Sequence, residues 1–410
     1  MIAKGEWKPR RLDELGFLGR GKSRHRPRNE ASLYGGPYPF IQTADVMAAD
    51  PYITSYSQTY SEFGFQQSKM WPPETLCMTI AGANTARTAI LKFEACFPDS
   101  MVGFIPDKSK SDIVFVKYAL DLMRDRFLSV SRGATQDNLG LDKILSFPIL
   151  APDADEQRRI GAILSAYDEL MENSQRRIRL LEAMARALYR EWFVHFRFPG
   201  HEKLPRIASP LGDIPQGWEV CPLGNFVQFK SGFAFKSGTF TADGEHRLVT
   251  IRNVQDGAFN PESDSRMSEL PQNLPPYCVL KDGDILLSLT GNVGRVCLVF
   301  DGRFLLNQRV SKLAPVEAFD WAMAYCMFRE PEMRVKLEQL SNGVAQQNLS
   351  PVLASKMEFA CPPKELRQRF ATVAEPMVRR IVQLYTTIQN LRRTRDLLLP
   401  RLLSGQVNVT

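Results

Sequence analysis

One stretch near the N-terminus has the residue types and spacing of a phosphate-binding loop. Residues 16–23 read GFLGRGKS and satisfy the pattern GxxxxGK[ST], in which backbone amides and a lysine hold nucleotide phosphates. That chemistry needs a buried strand before the loop and a helix after it. The preceding residues are largely polar and charged, and Pro27 follows too closely for a helix to propagate. The context therefore predicts that this stretch does not bind a nucleotide.

The same stretch is rich in cations, and this suggests a different chemistry. Five lysine and arginine residues fall within nine positions, with His25 among them. These five are Arg20, Lys22, Arg24, Arg26 and Arg28. Such a loop can lie against nucleic-acid phosphates or reach base edges. A solvated charged loop is the alternative.

Other catalytic patterns are weak. Residues 273–277 read NLPPY, which resembles the amide-Pro-Pro-aromatic motif of amino-methyltransferases, but Leu274 fills the position that must accept a hydrogen bond. Asp99 and Asp107 each follow a proline, which is ordinary turn chemistry. The four histidines, at 25, 195, 201 and 246, show no spacing typical of an acid–base or metal cluster. We therefore expect a chain without catalytic residues or a metal site.

Polar and basic residues recur in loops at matching places of the two halves of the chain. Arginine and lysine suit guanine O6 and N7, whereas asparagine and glutamine suit adenine N6 and N7. Turn or capping chemistry is the alternative for each of them. Together with the five cations above, the candidates for DNA contact are Asn84, Arg87, Lys230, Lys236, Arg252, Asn253, Asn292, Arg295 and Gln308. Related positions in the same loops are Gln136, Asn138, Asn307, Arg309, Gln346, Gln347 and Asn348.

An internal repeat positions these loops. Residues 131–139 (SRGATQDNL) match residues 341–349 (SNGVAQQNL), about 210 residues later. The stretches 75–82 and 284–291 also match, and a long helical pattern follows each copy. Two diverged copies of a globular unit plus a helix predict a pseudo-twofold molecule with two similar but unequal binding surfaces.

Each globular unit mixes short strands with helices. In the first we expect a helix over 112–127 and strands over 40–46, 76–80, 89–93 and 102–105. In the second we expect strands over 248–251, 284–289, 296–300 and 310–313. A helix over 319–340 should be interrupted at Pro331. The expected domains are 1–151, 152–200, 201–361 and 362–410.

Two long helices are predicted over 155–192 and 365–403. Apolar residues recur in steps of three and four, the heptad seam of a coiled coil, with Val373 and Met377 in the second seam. Pro376 is a candidate kink. Matched length and repeat position predict that the two helices pair with each other. Because the chain returns through a globular domain between them, the pair can be antiparallel, with the globular units at opposite ends of a rod. The fold class is therefore mixed α/β with an antiparallel coiled coil.

Composition narrows the class of protein. The seven cysteines form no CxxC pair and are typical of reduced thiols in a cytoplasmic protein. The sequence shows neither a signal peptide nor a stretch of membrane-spanning length. A net charge of +7 mildly favours a polyanionic partner.

With these features the chain resembles the specificity subunits of type I restriction–modification enzymes. The likeness covers nearly the whole sequence and includes the duplicated architecture. The segments that carry it are 38–46, 79–91, 133–139, 218–224, 281–288 and 390–405, the last reading NLRRTRDLLLPRLLSG.

The resemblance implies two target-recognition domains separated by helical repeat regions, without catalytic machinery. Each domain would enter a major groove of double-stranded DNA, so that the target is bipartite and asymmetric. Partners would be two methyltransferase (modification) subunits, which methylate adenine, and the restriction/translocase subunits. S-adenosylmethionine, ATP and Mg would be held by those partners, and none by this chain.

Two other functions remain open from the residues. One is a self-sufficient enzyme, either methyltransferase-like or hydrolysing nucleotide at residues 16–23. The other is a coiled-coil adaptor that never touches DNA. Binding of S-adenosylmethionine or ATP would favour the first, and an absence of salt-sensitive DNA binding would favour the second.

Overall fold

A computed structural model describes residues 7–82, 84–131, 139–241, 243–341, 347–407 and 409. The chain divides into two compact units. The first combines Met1–Met171 with Leu391–Thr410, and the second is Glu172–Asn390. Each unit therefore contains one globular domain together with parts of both long helices.

The first unit contains eleven strands and six short helices among its described residues. The strands are β1 (Lys8–Arg10), β2 (Gly16–Arg20), β3 (Tyr34–Phe40), β4 (Tyr52–Ile53), β5 (Gln58–Tyr60), β6 (Met70–Trp71), β7 (Leu76–Thr79), β8 (Thr88–Leu91), β9 (Ala95–Cys96), β10 (Met101–Pro106) and β11 (Ile149–Ala151). The helices are α1 (Leu12–Leu15), α2 (Thr43–Ala48), α3 (Glu62–Gln66), α4 (Ile113–Leu122), α5 (Arg124–Ser131) and α6 (Leu141–Leu145).

The first long helix, α7 (Ala154–Tyr189), passes from the first unit into the second, and one π-helical turn over Arg190–Val194 follows it. The strands of the second unit are β12 (Arg206–Ile207), β13 (Ile214–Pro215), β14 (Glu219–Pro222), β15 (Val227–Ser231), β16 (His246–Val249), β17 (Arg266–Met267), β18 (Val279–Leu280), β19 (Ile285–Ser288), β20 (Val296–Leu298), β21 (Phe304–Leu306), β22 (Val310–Pro315) and β23 (Glu358–Cys361). Its helices are α8 (Trp321–Phe328), α9 (Pro331–Gln339) and α10 (Pro351–Lys356), and the second long helix is α11 (Lys364–Leu403).

The two domains share one sheet topology. In the first, a five-stranded sheet has the order β2-β10-β7-β8-β4, and in the second a four-stranded sheet has the order β15-β22-β19-β20. A smaller sheet follows in each, ordered β5-β3-β9-β6 and β17-β16-β21-β18. The only parallel pairing described in the smaller sheet is β3 with β9 in the first domain and β16 with β21 in the second. The repeat predicted from the sequence is therefore present in the strand order of both sheets, apart from the additional edge strand β4 of the first domain, and the mixed α/β fold class is confirmed.

The central hairpin of each larger sheet is buried because its strands are largely apolar on both faces. Every residue of β7 and β8 is buried, as is every residue of β19 and β20. In the first unit, Phe104 and Phe115 share one core with Leu164 of α7 and Leu402 of α11. The first globular domain and the segments of both long helices in its unit are thus parts of one hydrophobic core.

The long helices agree closely with the prediction, apart from one stretch of the second seam. On α7 the predicted seam positions Ile160, Leu164, Met171 and Ile178 are buried. On α11, however, Val373 is 43% exposed, so its predicted place in the seam is wrong. Buried side chains there are instead Phe370, Ala374, Val378 and Ile381. The helix continues through Pro376, and the apolar positions shift by one residue beside it.

Within the first unit the two helices run antiparallel. Arg395 of α11 forms an ion pair with Asp168 of α7, with 2.9 Å between Nη1 and Oδ1. Arg159, earlier on α7, donates from Nε to the backbone oxygen of Val409 at 3.1 Å, beyond the end of α11. In the second unit, Trp192 lies just after α7, and its ring centre is 5.8 Å from that of Phe370 near the start of α11. The pseudo-twofold arrangement and the rod stay predictions.

Three short-range predictions differ from the structure or are refined by it. The expected strand over 40–46 is wrong, because β3 ends at Phe40 and α2 begins at Thr43, where Gln42 and Asp45 form a capping box. The expected helix over 112–127 is two helices, α4 and α5. The interruption at Pro331 is confirmed, since the proline occupies the first turn of α9, where its missing N–H is not needed.

Candidate nucleic-acid interface

A tight turn joins β7 to β8 in the first domain and presents two candidate residues. The buried Thr79 hydroxyl donates to the backbone oxygen of Asn84 at 2.5 Å and accepts from the backbone N–H of Arg87 at 3.0 Å. Gly82 has a φ of +82°, which a residue with a side chain rarely adopts. The turn is therefore held from inside, and the Arg87 side chain is exposed.

The second domain repeats this turn between β19 and β20. The Ser288 hydroxyl donates to the backbone oxygen of Asn292 at 2.5 Å and accepts from the N–H of Arg295 at 3.0 Å. Asn292 is exposed, whereas Arg295 is partly buried and donates from Nη1 to Gln255 Oε1 at 2.7 Å. The same backbone device thus carries an asparagine and an arginine in each domain.

The last residues of each internal repeat segment lie beside these turns. The N–H of Leu139 donates to Ile80 O at 2.8 Å, and the N–H of Leu349 donates to Leu289 O at 2.8 Å. In the second domain, Asn348 forms an isolated bridge with Thr290 beside the turn. The candidates Gln136, Asn138 and Gln346 lie outside the described residues. The described last residues of the two repeat segments therefore lie next to the duplicated turn.

The basic stretch of the first domain is organised around one carboxylate. Arg20 donates from Nε to the backbone oxygen of Asp99 at 2.6 Å. Arg28 lies 2.6 Å from Asp99 Oδ1, and Arg26 lies 3.4 Å from Oδ2. We call Arg20, Arg26 and Arg28 the arginine cluster. The sequence indicated only turn chemistry for Asp99, because the arginines that it holds lie some 70 to 80 positions earlier in the chain.

The remaining members of this stretch are fixed through their backbone. The N–H of Lys22 donates to Phe97 O at 3.1 Å, and the N–H of Arg24 donates to Gln67 Oε1 at 2.5 Å. The Arg24 side chain is exposed and that of Lys22 is partly buried. His25 contacts Glu30. The backbone of the loop is therefore tied to the domain, and its arginine side chains face solvent.

The phosphate-loop pattern lacks the structure that its chemistry needs. Residues 16–20 form β2, which pairs only with β10 in the described sheet and lies at the edge. Between Arg20 and Ala31, a stretch that the structure describes in full, the backbone forms no helix. A helix N-terminus is therefore not available to hold a phosphate at Lys22.

A cavity of about 480 Å³ opens in the second domain among several candidates. Arg252, Gln308 and Arg309 line it with exposed side chains, and Phe235 and Phe240 supply aromatic surface. Arginine and glutamine beside aromatic rings can contact base edges or sugar–phosphate groups. This cavity therefore brings together candidates that lie more than 50 positions apart in the sequence.

Asn253 belongs to the fold rather than to the surface. It is 2% exposed, and its Oδ1 accepts from Thr250 N at 2.7 Å and from Thr250 Oγ1 at 3.0 Å. Its Nδ2 donates to Asn260 O at 2.9 Å and Glu262 O at 2.6 Å. An amide side chain has two donors and two acceptor sites, so all four are used. We therefore leave Asn253 out of the proposed interface.

The two candidate lysines of the second domain occupy different environments. Lys230 lies on β15, is partly buried, and places its ammonium 5.8 Å from the centre of the Tyr277 ring. Lys236 follows β15 and is exposed. Lys236 is thus the better placed of the two to meet a phosphate.

Equivalent hydrogen bonds align the two surfaces residue by residue. The N–H of Met101 donates to Pro98 O at 3.1 Å, and the N–H of Val310 donates to Asn307 O at 3.0 Å. The N–H of Ile80 donates to Ser100 O at 2.9 Å, and that of Leu289 to Arg309 O at 3.0 Å. Residues 98–100 therefore correspond to residues 307–309, and Gln308 stands where the first domain has Asp99.

The described part of the chain offers neither a metal site nor a membrane span. No group of three or more histidine, cysteine, aspartate or glutamate side chains there is arranged to hold a metal ion. None of the described helices combines the length and apolar character needed to cross a membrane.

Comparison with known proteins gives one family. The family model described as the type I restriction modification DNA specificity domain matches residues 4–183 and 215–391, so each match contains one domain and part of the long helix that follows it. The type I restriction enzyme MjaIX specificity subunit of Methanocaldococcus jannaschii is 23% identical over 417 residues, covering 98% of this chain and 94% of that protein.

Two further proteins are similar. The type I restriction enzyme HindI specificity subunit of Haemophilus influenzae is 22% identical over 343 residues, covering 69% of this chain and 74% of that protein. The crystal structure of a type I restriction-modification system S subunit from M. genitalium superposes with a TM-score of 0.61 and 17% identity, covering 98% of this chain and 97% of that chain. The similarity to this crystal structure concerns the fold alone.

Proposed function

The chain belongs to the family of type I restriction modification DNA specificity domains, and from that premise we propose that it reads a bipartite, asymmetric sequence in double-stranded DNA. The observation that carries the proposal is the duplicated surface. Both domains hold the same turn with the same hydrogen bonds, at Thr79 and at Ser288, yet the neighbouring loops differ, since Asp99 of the first domain corresponds to Gln308 of the second. Similar scaffolds with unlike contact residues suit two unlike half-sites.

The first half-site would be met by the arginine cluster with Lys22, Arg24, Asn84 and Arg87. The second would be met by Lys230, Lys236, Arg252, Asn292, Arg295 and Gln308. Guanidinium and amide groups match guanine and adenine edges in the major groove, and the remaining cations would hold phosphates. The chain would act without catalytic residues of its own, as the subunit that chooses the sequence.

We also propose that the long helices dock the partner subunits. On α7, Leu180 is 57% exposed and Met184, one turn later, is 53% exposed. Exposed apolar side chains four residues apart form a stripe that another helix can cover. A methyltransferase subunit would pack on this stripe, and restriction/translocase subunits would join the complex. S-adenosylmethionine, ATP and Mg would be bound by those partners.

Binding measurements on the purified chain test the proposal. A pool of random duplexes is incubated with the chain, and the bound fraction is sequenced. We expect enrichment of two short motifs separated by an unread spacer, in binding that weakens as salt rises. An absence of salt-sensitive binding would instead favour the adaptor function. Binding of ATP that is lost on Lys22→Ala would favour the nucleotide-hydrolysing enzyme.

A further inference from the structure

The loop of residues 98–100 in the first domain and the equivalent loop of residues 307–309 in the second differ in charge. In the first domain, Asp99 gathers three guanidiniums, all on exposed side chains. In the second domain the corresponding residue is Gln308, which is exposed and uncharged. The residue aligned with Lys22 is Phe233, because its N–H donates to Leu306 O as that of Lys22 donates to Phe97 O. The cationic cluster therefore belongs to one domain only.

The net charges of the two whole domains differ in the same direction as the charges of the two loops. Residues 1–151 contain 19 lysines and arginines against 16 acidic residues, a net of +3. Residues 201–361 contain 16 against 18, a net of −2. In the second domain, Glu262 and Asp264 also line the cavity that Gln308 borders. A domain of negative net charge is repelled by DNA phosphates as a whole. It can therefore gain affinity from phosphates only through a few local cations.

The arginines of the cluster retain N–H donors for a ligand while Asp99 holds them in place. Each guanidinium has five N–H donors. Arg20 uses Nε on the Asp99 carbonyl, and Arg28 uses Nη2 on the Asp99 carboxylate. The side chain of Arg28 is 49% exposed. Most donors of both groups therefore remain to meet phosphate oxygens, with their direction set by Asp99.

We propose that the two domains contribute unequally to binding: both read bases, but the first domain also anchors the DNA backbone through the arginine cluster, oriented by Asp99, whereas the second relies on base contacts such as that of Gln308 and releases few counterions. The inference rests on the proposed DNA-binding function and deepens it. Phosphate contacts give affinity and salt dependence, whereas base contacts give sequence discrimination. Asp99 is a positioning residue, since it acts through the arginines.

The salt dependence of binding tests this unequal contribution. The full chain and two double variants, Arg20→Gln with Arg28→Gln and Lys236→Gln with Arg309→Gln, are titrated with a random-sequence duplex from low to moderate salt. Each lost phosphate contact lowers the slope of log K against log salt by about 0.9, so the first pair should lower it by about 1.8. The matched pair in the second domain should lower it by less than half as much.

The outcomes separate the two levels of the proposal. An equal or larger loss of slope in the Lys236 and Arg309 pair would overturn the unequal contribution. If the wild-type chain shows no salt-dependent binding to the duplex, the DNA-binding function itself is refuted. Gln308→Ala should leave the slope unchanged and relax the preference in one half-site, and a reduced slope would count against base reading by Gln308.

The direction in which one substitution changes DNA affinity tests the positioning role of Asp99. Asp99→Asn removes a negative charge, which by simple attraction would strengthen DNA binding. If Asp99 orients the arginines, the variant should bind more weakly at each salt concentration with an unchanged slope, and Asp99→Glu should restore part of the affinity. Tighter binding by Asp99→Asn would overturn the positioning role, and unchanged thermal unfolding would show that the variant is folded.

Discussion

The hydroxyl of Tyr118, on α4, donates to the carboxylate of Asp168, on α7, with distances of 2.7 and 2.8 Å to its two oxygens. Arg395 of α11 completes the group, with Nη1 2.9 Å from Asp168 Oδ1 and 3.1 Å from the Tyr118 oxygen. Asp168 is almost fully buried, with 1% of its side chain exposed. One polar group therefore fastens the first domain to both helices within its unit.

Removal of the arginine from this group should be costly. Arg395→Met leaves the Asp168 carboxylate buried without its ion partner, and breaking such a pair typically costs about 3–5 kcal/mol of unfolding free energy. Tyr118→Phe removes the hydroxyl that donates to Asp168 and accepts from Arg395, and it should cost about 1–3 kcal/mol. Urea denaturation measures both, with Arg401→Met, an exposed arginine of the same helix, as the control. Equal effects of the control and of Arg395→Met would contradict this account.

A buried carboxylate makes the second unit sensitive to pH. Burial raises the pKa of Asp320 to about 6 from 3.8, against the opposing charge of Arg367. The folded protein thus binds a proton more tightly than the unfolded chain, so this group's contribution to stability falls as pH rises from about 4 to 6. Relative to Asp320→Asn, the wild-type unfolding free energy should increase on acidification by up to roughly 1.4 kcal/mol per pH unit. A difference that stays flat between pH 7 and 4 would refute the shift.

The paired turns provide two matched variants. Thr79→Val and Ser288→Ala each remove the hydroxyl that bonds the turn, at an expected cost of about 1–3 kcal/mol to the domain concerned. A loosened turn should relax sequence discrimination in one half-site for Thr79→Val and in the other for Ser288→Ala. Sequencing of selected duplexes measures both. If the two variants relaxed the same half-site, the turns would not serve separate readers.

The apolar stripe on α7 should govern assembly and leave DNA binding unaffected. Leu180→Ser with Met184→Ser removes the exposed apolar surface that we assign to a methyltransferase partner. Copurification with that partner should be lost, while affinity for the selected duplex stays unchanged. Val335→Ser, at another exposed apolar residue of the second unit, is the control. Retained copurification of the double variant would place the docking surface elsewhere.

The long-range organisation was readable from the sequence because it depends on repetition and periodicity. The repeated segments at 131–139 and 341–349 and the helix seams predicted two domains and two long helices. Val373 was misplaced because the pattern allows either of two neighbouring apolar positions beside Pro376, and packing selects Ala374. Periodicity gives the helix and its approximate face, and tertiary contacts decide the register.

Individual site residues were harder to predict because their roles depend on distant partners. Asn253 has a type suited to adenine, yet its amide is consumed by Thr250, Asn260 and Glu262. Asp99 has the type and setting of a turn residue, yet it holds arginines some 70 to 80 positions earlier in the chain. Residue type alone does not distinguish a contact with DNA from a contact within the fold.

Exchange of one domain tests the central claim most directly. Residues 214–361 are replaced with the matching domain of a relative that methylates a different sequence, and methylated adenines are mapped in cells that carry the modification partner. Two independent readers predict that one half of the methylated site changes to the relative's sequence while the other half is kept. A site in which both halves change together, or neither changes in an active complex, would contradict the account.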